Sequence, residues 1–163
     1  MRSGCMFSGA RTARCLRSAQ RNAGNAPGMF YAPSPDLPAY PTQQLRQRTK
    51  RFAFDVIGVV RELPRGVVLD VLGRQLVRAA MGVASNHRAA GRARSRCEFV
   101  TKLGVILGEA DESEFWLGAL IECNLVARGS IEPLHKEACE LRAIFWDAIR
   151  TARVPRRANP RHQ

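Results

Sequence analysis

The chain has 163 residues, 45% of them hydrophobic, with 26 Lys and Arg against 14 Asp and Glu and a formal net charge of +12. That length suits one domain with a buried core. No apolar run approaches the ~20 residues that span a bilayer, so a soluble protein is expected. The positive charge favours an anionic partner such as nucleic acid or a membrane surface, and of these nucleic acid, with no membrane partner and a cytoplasmic location, is the expectation. Five cysteines, Cys5, Cys15, Cys97, Cys123 and Cys139, form no C-x-x-C pair. Their number is odd, which suggests reduced thiols and neither a disulfide framework nor a zinc site.

Residues 1–44 are rich in Arg, Ser, Gly, Ala and Pro, and Pro33, Pro35, Pro38 and Pro41 exclude a continuous helix there. No apolar segment follows the early arginines, so the stretch is a poor secretory signal. Arg11–Arg21 superficially looks like a transit peptide, but a disordered extension, or a start placed upstream of a later one at Met29, fits better. Residues 45–153 are expected to form the folded domain, and 154–163 a disordered basic tail with Arg156, Arg157 and Arg161.

The first helix is predicted over 44–63. Leu45, Thr49, Phe52, Val56, Val59 and Leu63 recur at steps of four and three, which makes one stripe on a helix. Pro64-Arg65-Gly66 ends it. The second helix, over 68–93, carries Leu69, Leu72, Leu76, Ala79, Val83, Asn86 and Ala90. Its alanines allow close approach of a neighbour, and Asn86 is a polar seam residue that needs hydrogen-bond partners and can fix register. The chain then bends near 93–95. Ser95-Arg96-Cys97-Glu98 fits a capping box, and a third helix follows with Phe99, Leu103, Ile106, Ala110, Ser113, Leu117 and Leu120 as its stripe. Gly104 and Gly108 suggest either close helix packing or simple tolerance. Arg128-Gly129-Ser130 supplies a stop and a new cap. The fourth helix runs to about 151 with Pro133 in its first turn and Leu134, Ala138, Leu141, Phe145 and Ala148 as its stripe, widened by Ile144 and Ile149. The fold class is all-α: an antiparallel up-and-down four-helix bundle with disordered N- and C-terminal extensions, organised around the helical hairpin of 73–120.

Chemistry-bearing constellations are sparse. The histidines are His87, His135 and His162, and no nucleophile is visibly paired with them; no phosphate-binding glycine loop and no H-E-x-x-H occurs. Bundles can hold two metals on Glu-x-x-His motifs, and Glu132-Pro133-Leu134-His135 is one such motif, with Glu109, Asp111, Glu112 and Glu114 on the third helix. No second motif exists, and those acids flank their stripe. No catalytic residue, metal or cofactor is expected. Charge is more informative. Arg74, Arg78, Arg88, Arg92, Arg94, Arg96 and Lys102 face Glu98 alone, whereas the acids gather from Glu109 to Glu140. The bend therefore makes one end of the bundle basic. It can bind phosphates, pair with acids of another copy or of the same chain, or be merely solvated. No aromatic-rich basic groove is visible for single-strand stacking.

Gly73-Arg74-Gln75-Leu76-Val77-Arg78-Ala79, Ser85-Asn86, Arg92-Ala93-Arg94-Ser95, Glu98-Phe99, Lys102-Leu103-Gly104, Glu109-Ala110-Asp111-Glu112 and Trp116-Leu117 together carry a resemblance. With Leu45-Arg46-Gln47-Arg48-Thr49-Lys50 and Phe145, the chain over 45–153 resembles the bacterial four-helix-bundle family named after the 23S ribosomal RNA intervening sequence. The resemblance implies a small antiparallel bundle that assembles as a homopentamer, with no established catalytic residues. It also implies a relation to an accessory protein of diversity-generating retroelements thought to bind nucleic acid. Ala89 and Gly108 depart from the family pattern, which has charged residues at those places. The function expected is a non-enzymatic, nucleic-acid-associated, RNA-binding homo-oligomer. Arg88, Arg92, Arg94 and Arg96 would touch phosphates, Arg74, Arg78 and Lys102 would form a weaker set, and Asn86 and Ser113 would be structural seam residues. The alternative is a protein-interaction scaffold whose charges serve assembly; a carboxylate-bridged metal bundle comes third.

Overall fold

The structure is a computed structural model and describes residues 43–154. The expectations for the two extensions therefore lie almost wholly outside the described residues. Four helices follow one another: α1 Gln43–Glu62, α2 Val67–Ala90, α3 Arg96–Glu122 and α4 Arg128–Arg153. The connections at 63–66, 91–95 and 123–127 are short, so each helix folds back beside its predecessor. α1 packs on α2, α2 on α3, α3 on α4, and α4 closes the ring on α1. No strand occurs among the described residues.

The seam of α3 is the core. Phe99, Leu103, Ile106, Ala110, Ser113, Leu117 and Leu120 are all buried. α1 adds Leu45, Thr49, Phe52, Ala53 and Val56, and α2 adds Gly73, Leu76, Ala79, Ala80, Val83, His87 and Ala90. α4 adds Ile131, Leu134, Ala138, Leu141, Phe145, Ile149 and Ala152. Two stripes differ in phase from the sequence expectation. On α4 Ile149 is buried and Ala148 half-buried. On α2 His87, and not Asn86, takes the seam after Val83. A helix of 3.6 residues per turn drifts against a strict seven-residue repeat, and a step of four at these places restores the buried face. Asn86 lies half-buried on the flank and donates from Nδ2 to the Gly82 carbonyl at 3.0 Å. Ser113 is fully buried and returns its hydroxyl proton to the Glu109 carbonyl at 2.8 Å.

The helix ends follow local chemistry. Ser95 caps α3: its Oγ accepts from the Glu98 N–H at 3.1 Å. The Glu98 carboxylate accepts from the Arg94 N–H at 2.8 Å, one residue earlier than an ordinary capping box. α2 stops at Ala90, earlier than the expected 93. The Arg92 and Ala93 N–H groups bond the Ala89 and Ala90 carbonyls at 3.0 and 3.1 Å and tighten the chain into a turn. α3 stops before Arg128: Asn124 has a φ of 51°, and the Leu125 N–H bonds the Leu120 carbonyl at 3.1 Å, which is a left-handed Schellman stop. α4 then begins at Arg128, so Pro133 lies beyond its first turn and Ser130 is inside the helix, its Oγ bonding the Ala127 carbonyl at 2.7 Å. Gly104 and Gly108 face open space, so close packing does not explain them. The glycines that admit close neighbours are Gly82, where a Cβ would meet the Glu109 Cδ at 2.5 Å, and Gly73, where it would meet the Val60 Cγ1 at 2.9 Å.

The ring closes through side chains as well. Arg48 on α1 reaches Glu137 on α4 with Nε and Nη2 at 2.6 and 2.7 Å, and Glu140 with Nη2 at 2.5 Å. These hydrogen bonds, led by the one to Glu137, push the Arg48 pKa up against the opposing effect of burial. Deeper inside, His87 is 4% exposed. Its Nδ1 lies 3.0 Å from Thr49 Oγ1, and the same hydroxyl reaches the Arg46 carbonyl at 3.2 Å. Phe145 meets the imidazole edge-on at 5.5 Å between ring centroids. The imidazole tautomer sets which of Thr49 and His87 donates in this contact. Burial first, and repulsion from Arg46 second, lower the His87 pKa to about 4.

That shift has a sign. The folded state holds His87 neutral, whereas the unfolded chain protonates it near pH 6.5. Its contribution is fully present above pH 6.5 and disappears as pH falls to about 4, a loss on the order of 3 kcal/mol. Urea denaturation between pH 7 and pH 4 should show a steeper loss of stability for the wild type than for His87→Gln. Parallel pH profiles would show that His87 is not the responsible group.

Candidate nucleic-acid interface

Because the helices alternate in direction, the N-termini of α1 and α3 and the C-termini of α2 and α4 lie at the same end of the bundle. Side-chain contacts confirm the junctions. Thr49 of α1 bonds His87 near the end of α2, and Arg96 at the start of α3 bonds the Ala152 and Val154 carbonyls at the end of α4. This end is densely cationic. Arg88 and Arg92 are exposed and make no ion pair among the described residues. Arg94 is exposed, and Lys102 is half-buried one and a half turns into α3.

Two cations named from the sequence are committed elsewhere. Arg96 donates from Nε to the Ala152 carbonyl at 2.7 Å and from Nη2 to the Val154 carbonyl. Helix C-termini leave carbonyls without intrahelical donors, and a guanidinium satisfies two of them. Arg96 is thus a clasp between α3 and α4, with little of its donor fork left for a phosphate. Arg78 pairs with Glu112 and lies 3.7 Å from Glu109. That pairing raises the Arg78 pKa and lowers that of Glu112. Glu109 is pushed up by burial, only partly offset by Arg78; its Oε2 is buried against Gly82 with no hydrogen-bond partner. Arg74 is exposed near the opposite end and borders an open depression of about 450 Å³ with Val60, Leu69 and Val77.

Arg46 and Arg153 were missed as site residues. Both are exposed, Arg46 in the first turn of α1 and Arg153 at the last position of α4. They are remote from the bend in sequence, and only the closure of α4 on α1 brings them to it. The Thr49 hydroxyl, 3.2 Å from the Arg46 carbonyl and 3.0 Å from His87 Nδ1, shows the proximity of Arg46 to the end of α2. The one available signal was topological: an up-and-down bundle must place both chain ends beside the α2–α3 bend.

The acids of α3 are not gathered into a metal site. Arg142 pairs with Glu114 and lies 3.9 Å from Asp111, and Glu112 also accepts from Trp116 Nε1 at 3.2 Å. Glu132 is exposed and lies 3.5 Å from Arg128, while His135 packs against Gly118 and its Nδ1 is 4.0 Å from Cys139 Sγ. Among the described residues no group of three metal-ligating side chains converges, and no helix is long and apolar enough to cross a membrane. Cys123 and Cys139 are free thiols, whereas Cys97 is disulfide-bonded. That departs from the reduced usage expected for it.

These features define an all-α, up-and-down four-helix bundle with one cationic end. The chain belongs to the 23S rRNA-intervening sequence protein family, whose model matches residues 42–146. It is also similar to the crystal structure of a protein with unknown function from the S23 ribosomal protein family of Bacteroides thetaiotaomicron VPI-5482. The two are 26% identical with a TM-score of 0.58, over 64% of this chain and 97% of that one. No curated protein gives a significant match.

The clasp can be tested apart from any ligand. Arg96→Gln should cost about 1 kcal/mol or more in chemical denaturation and should speed amide exchange at 150–154. Arg92→Gln should stay within about 0.5 kcal/mol and leave exchange there unchanged. Equal effects of the two substitutions would remove the clasp.

Proposed function

We propose that this protein is a non-enzymatic, nucleic-acid-associated protein that binds RNA in the cytoplasm and acts as a homo-oligomer, a pentamer. The observation that carries the reading is the cationic end. Arg88 and Arg92 are exposed there and make no ion pair among the described residues, while Glu137, Glu112 and Glu114 are held by Arg48, Arg78 and Arg142 along the sides of the bundle. The name of the family, which ties it to a ribosomal RNA insertion, points the same way. Guanidinium groups such as those of Arg88 and Arg92, which make no ion pair among the described residues, suit phosphate oxygens, and neutralising phosphates releases counterions, so binding should weaken steeply with salt. Arg94 and Lys102 complete the leading set. Arg96 and Arg78 drop out of it because the fold already uses them.

A scaffold reading has its own support. Val67, Val68 and Val71 are exposed at the start of α2, as are Phe115 on α3 and Trp146 on α4. Exposed apolar groups of this size suit contacts between copies or with a protein partner. The two readings are compatible, since a ring can present several cationic ends together.

The test is a salt titration of RNA binding by the full chain and by Arg88→Ala with Arg92→Ala. Loss of two phosphate contacts should reduce the slope of log K against log salt by about 1.4 to 1.8, with no change in oligomer size by light scattering. A changed oligomer with an unchanged slope would favour the scaffold instead.

A further inference from the structure

The placement of Arg46 and Arg153 carries the functional reading further. We infer that the cationic end is one composite surface built from all four helix termini, and that it fits the two sugar–phosphate backbones of a double helix. The inference rests on the nucleic-acid reading above and adds a ligand class and two residues to it.

Three observations support the composite. Arg46 lies beside the α2 terminus, since the Thr49 hydroxyl reaches both the Arg46 carbonyl at 3.2 Å and His87 Nδ1 at 3.0 Å. Arg96 ties the start of α3 to the end of α4, which sets Arg153 beside the bend. Arg46, Arg88 and Arg153 are exposed near the termini of α1, α2 and α4, and Arg92 is exposed in the turn that leads to α3. Helix axes in a bundle are about 8–10 Å apart. Cations on the four termini therefore span roughly 10–14 Å, from adjacent helices to diagonal ones. That spread is of the order of a nucleic-acid groove, about 12 Å for the B-form major groove. Cations so placed can meet phosphates on both sides of a groove, whereas a single strand presents one narrow track.

Stacking geometry argues against a single strand as well. Exposed bases need aromatic faces between the cations. Phe54, Phe115 and Trp146 are the exposed aromatic residues among the described ones. The Lys50 ammonium lies 5.2 Å over the Phe54 ring and occupies it. Phe115 belongs to the far half of α3, against Trp116. Trp146 stands seven positions before Arg153, about 10 Å along α4 at 1.5 Å per residue. None lies among the terminal arginines. The contacts available are thus to backbone phosphates, which RNA and DNA duplexes share, and a preference between them must come from groove shape.

The test compares two charge reversals in the full chain. Arg46→Glu with Arg153→Glu alters the cationic end; Arg61→Glu with Arg65→Glu makes the same change in net charge at the opposite end. Affinities are measured at low salt for an RNA duplex, a DNA duplex of the same sequence and the RNA single strand. Reversal at 46 and 153 should weaken duplex binding at least tenfold, and reversal at 61 and 65 no more than threefold, with duplex bound more tightly than single strand by wild type. Thermal melting checks that each variant folds, and Arg46→Gln with Arg153→Gln repeats the test without new carboxylates. Equal effects from both reversals, or tighter binding of the single strand, would overturn the composite surface. If Arg88→Ala with Arg92→Ala weakens binding while changes at 46 and 153 do not, this inference fails and the nucleic-acid reading stands. No binding of any probe by wild type would overturn both.

Discussion

The rest of the structure depends on the burial of the α3 seam. Seven residues from Phe99 to Leu120 leave water together, and three other helices are needed to cover them from both flanks. Each of those helices is amphipathic and can bury its own stripe only against the others. Short connections then leave one arrangement, in which every helix reverses direction. Polar groups within this core are matched to it: Ser113 satisfies itself on its own helix, and Thr49 and His87 satisfy each other across α1 and α2.

Alternation of direction has an electrostatic consequence. Helix termini that are far apart in the chain share an end, and whatever charge each carries is summed there. Side-chain pairs along the bundle, Arg48 with Glu137, Arg78 with Glu112 and Arg142 with Glu114, consume the acids where neighbouring helices touch. Pairs of this kind that are half exposed add little stability, typically 0–1 kcal/mol. Their larger effect is to hold carboxylates along the sides, away from Arg88 and Arg92, which make no ion pair among the described residues.

The fold was largely legible in the sequence because one signal, heptad spacing, recurs on every helix, and on α3 it named all seven buried residues. Where it failed, the cause was local. His87 replaced Asn86 because a 3.6-residue helix must skip a step to keep a seam buried, and a histidine is hard to place in a core until its partner, Thr49, is known. Asn124 ends α3 in a left-handed conformation that an asparagine permits without announcing, while the more conspicuous Gly129 turned out to be helical. The candidate site was legible only in part. Arg88 and Arg92 stand out because they are close in sequence. Arg46 and Arg153 join them through tertiary closure, and Arg96 leaves them because it finds carbonyls of α4, which no local pattern encodes.

The central claim is that the end holding the four termini 43, 90, 96 and 153 is the surface that meets nucleic acid. Hydrogen exchange of the full chain with and without a short RNA duplex at low salt reads this most directly. The account predicts slowed exchange in 43–50, 88–102 and 150–154, with 62–74 and 122–131 unchanged. Protection confined to the opposite end, or spread evenly along the helices, would contradict it.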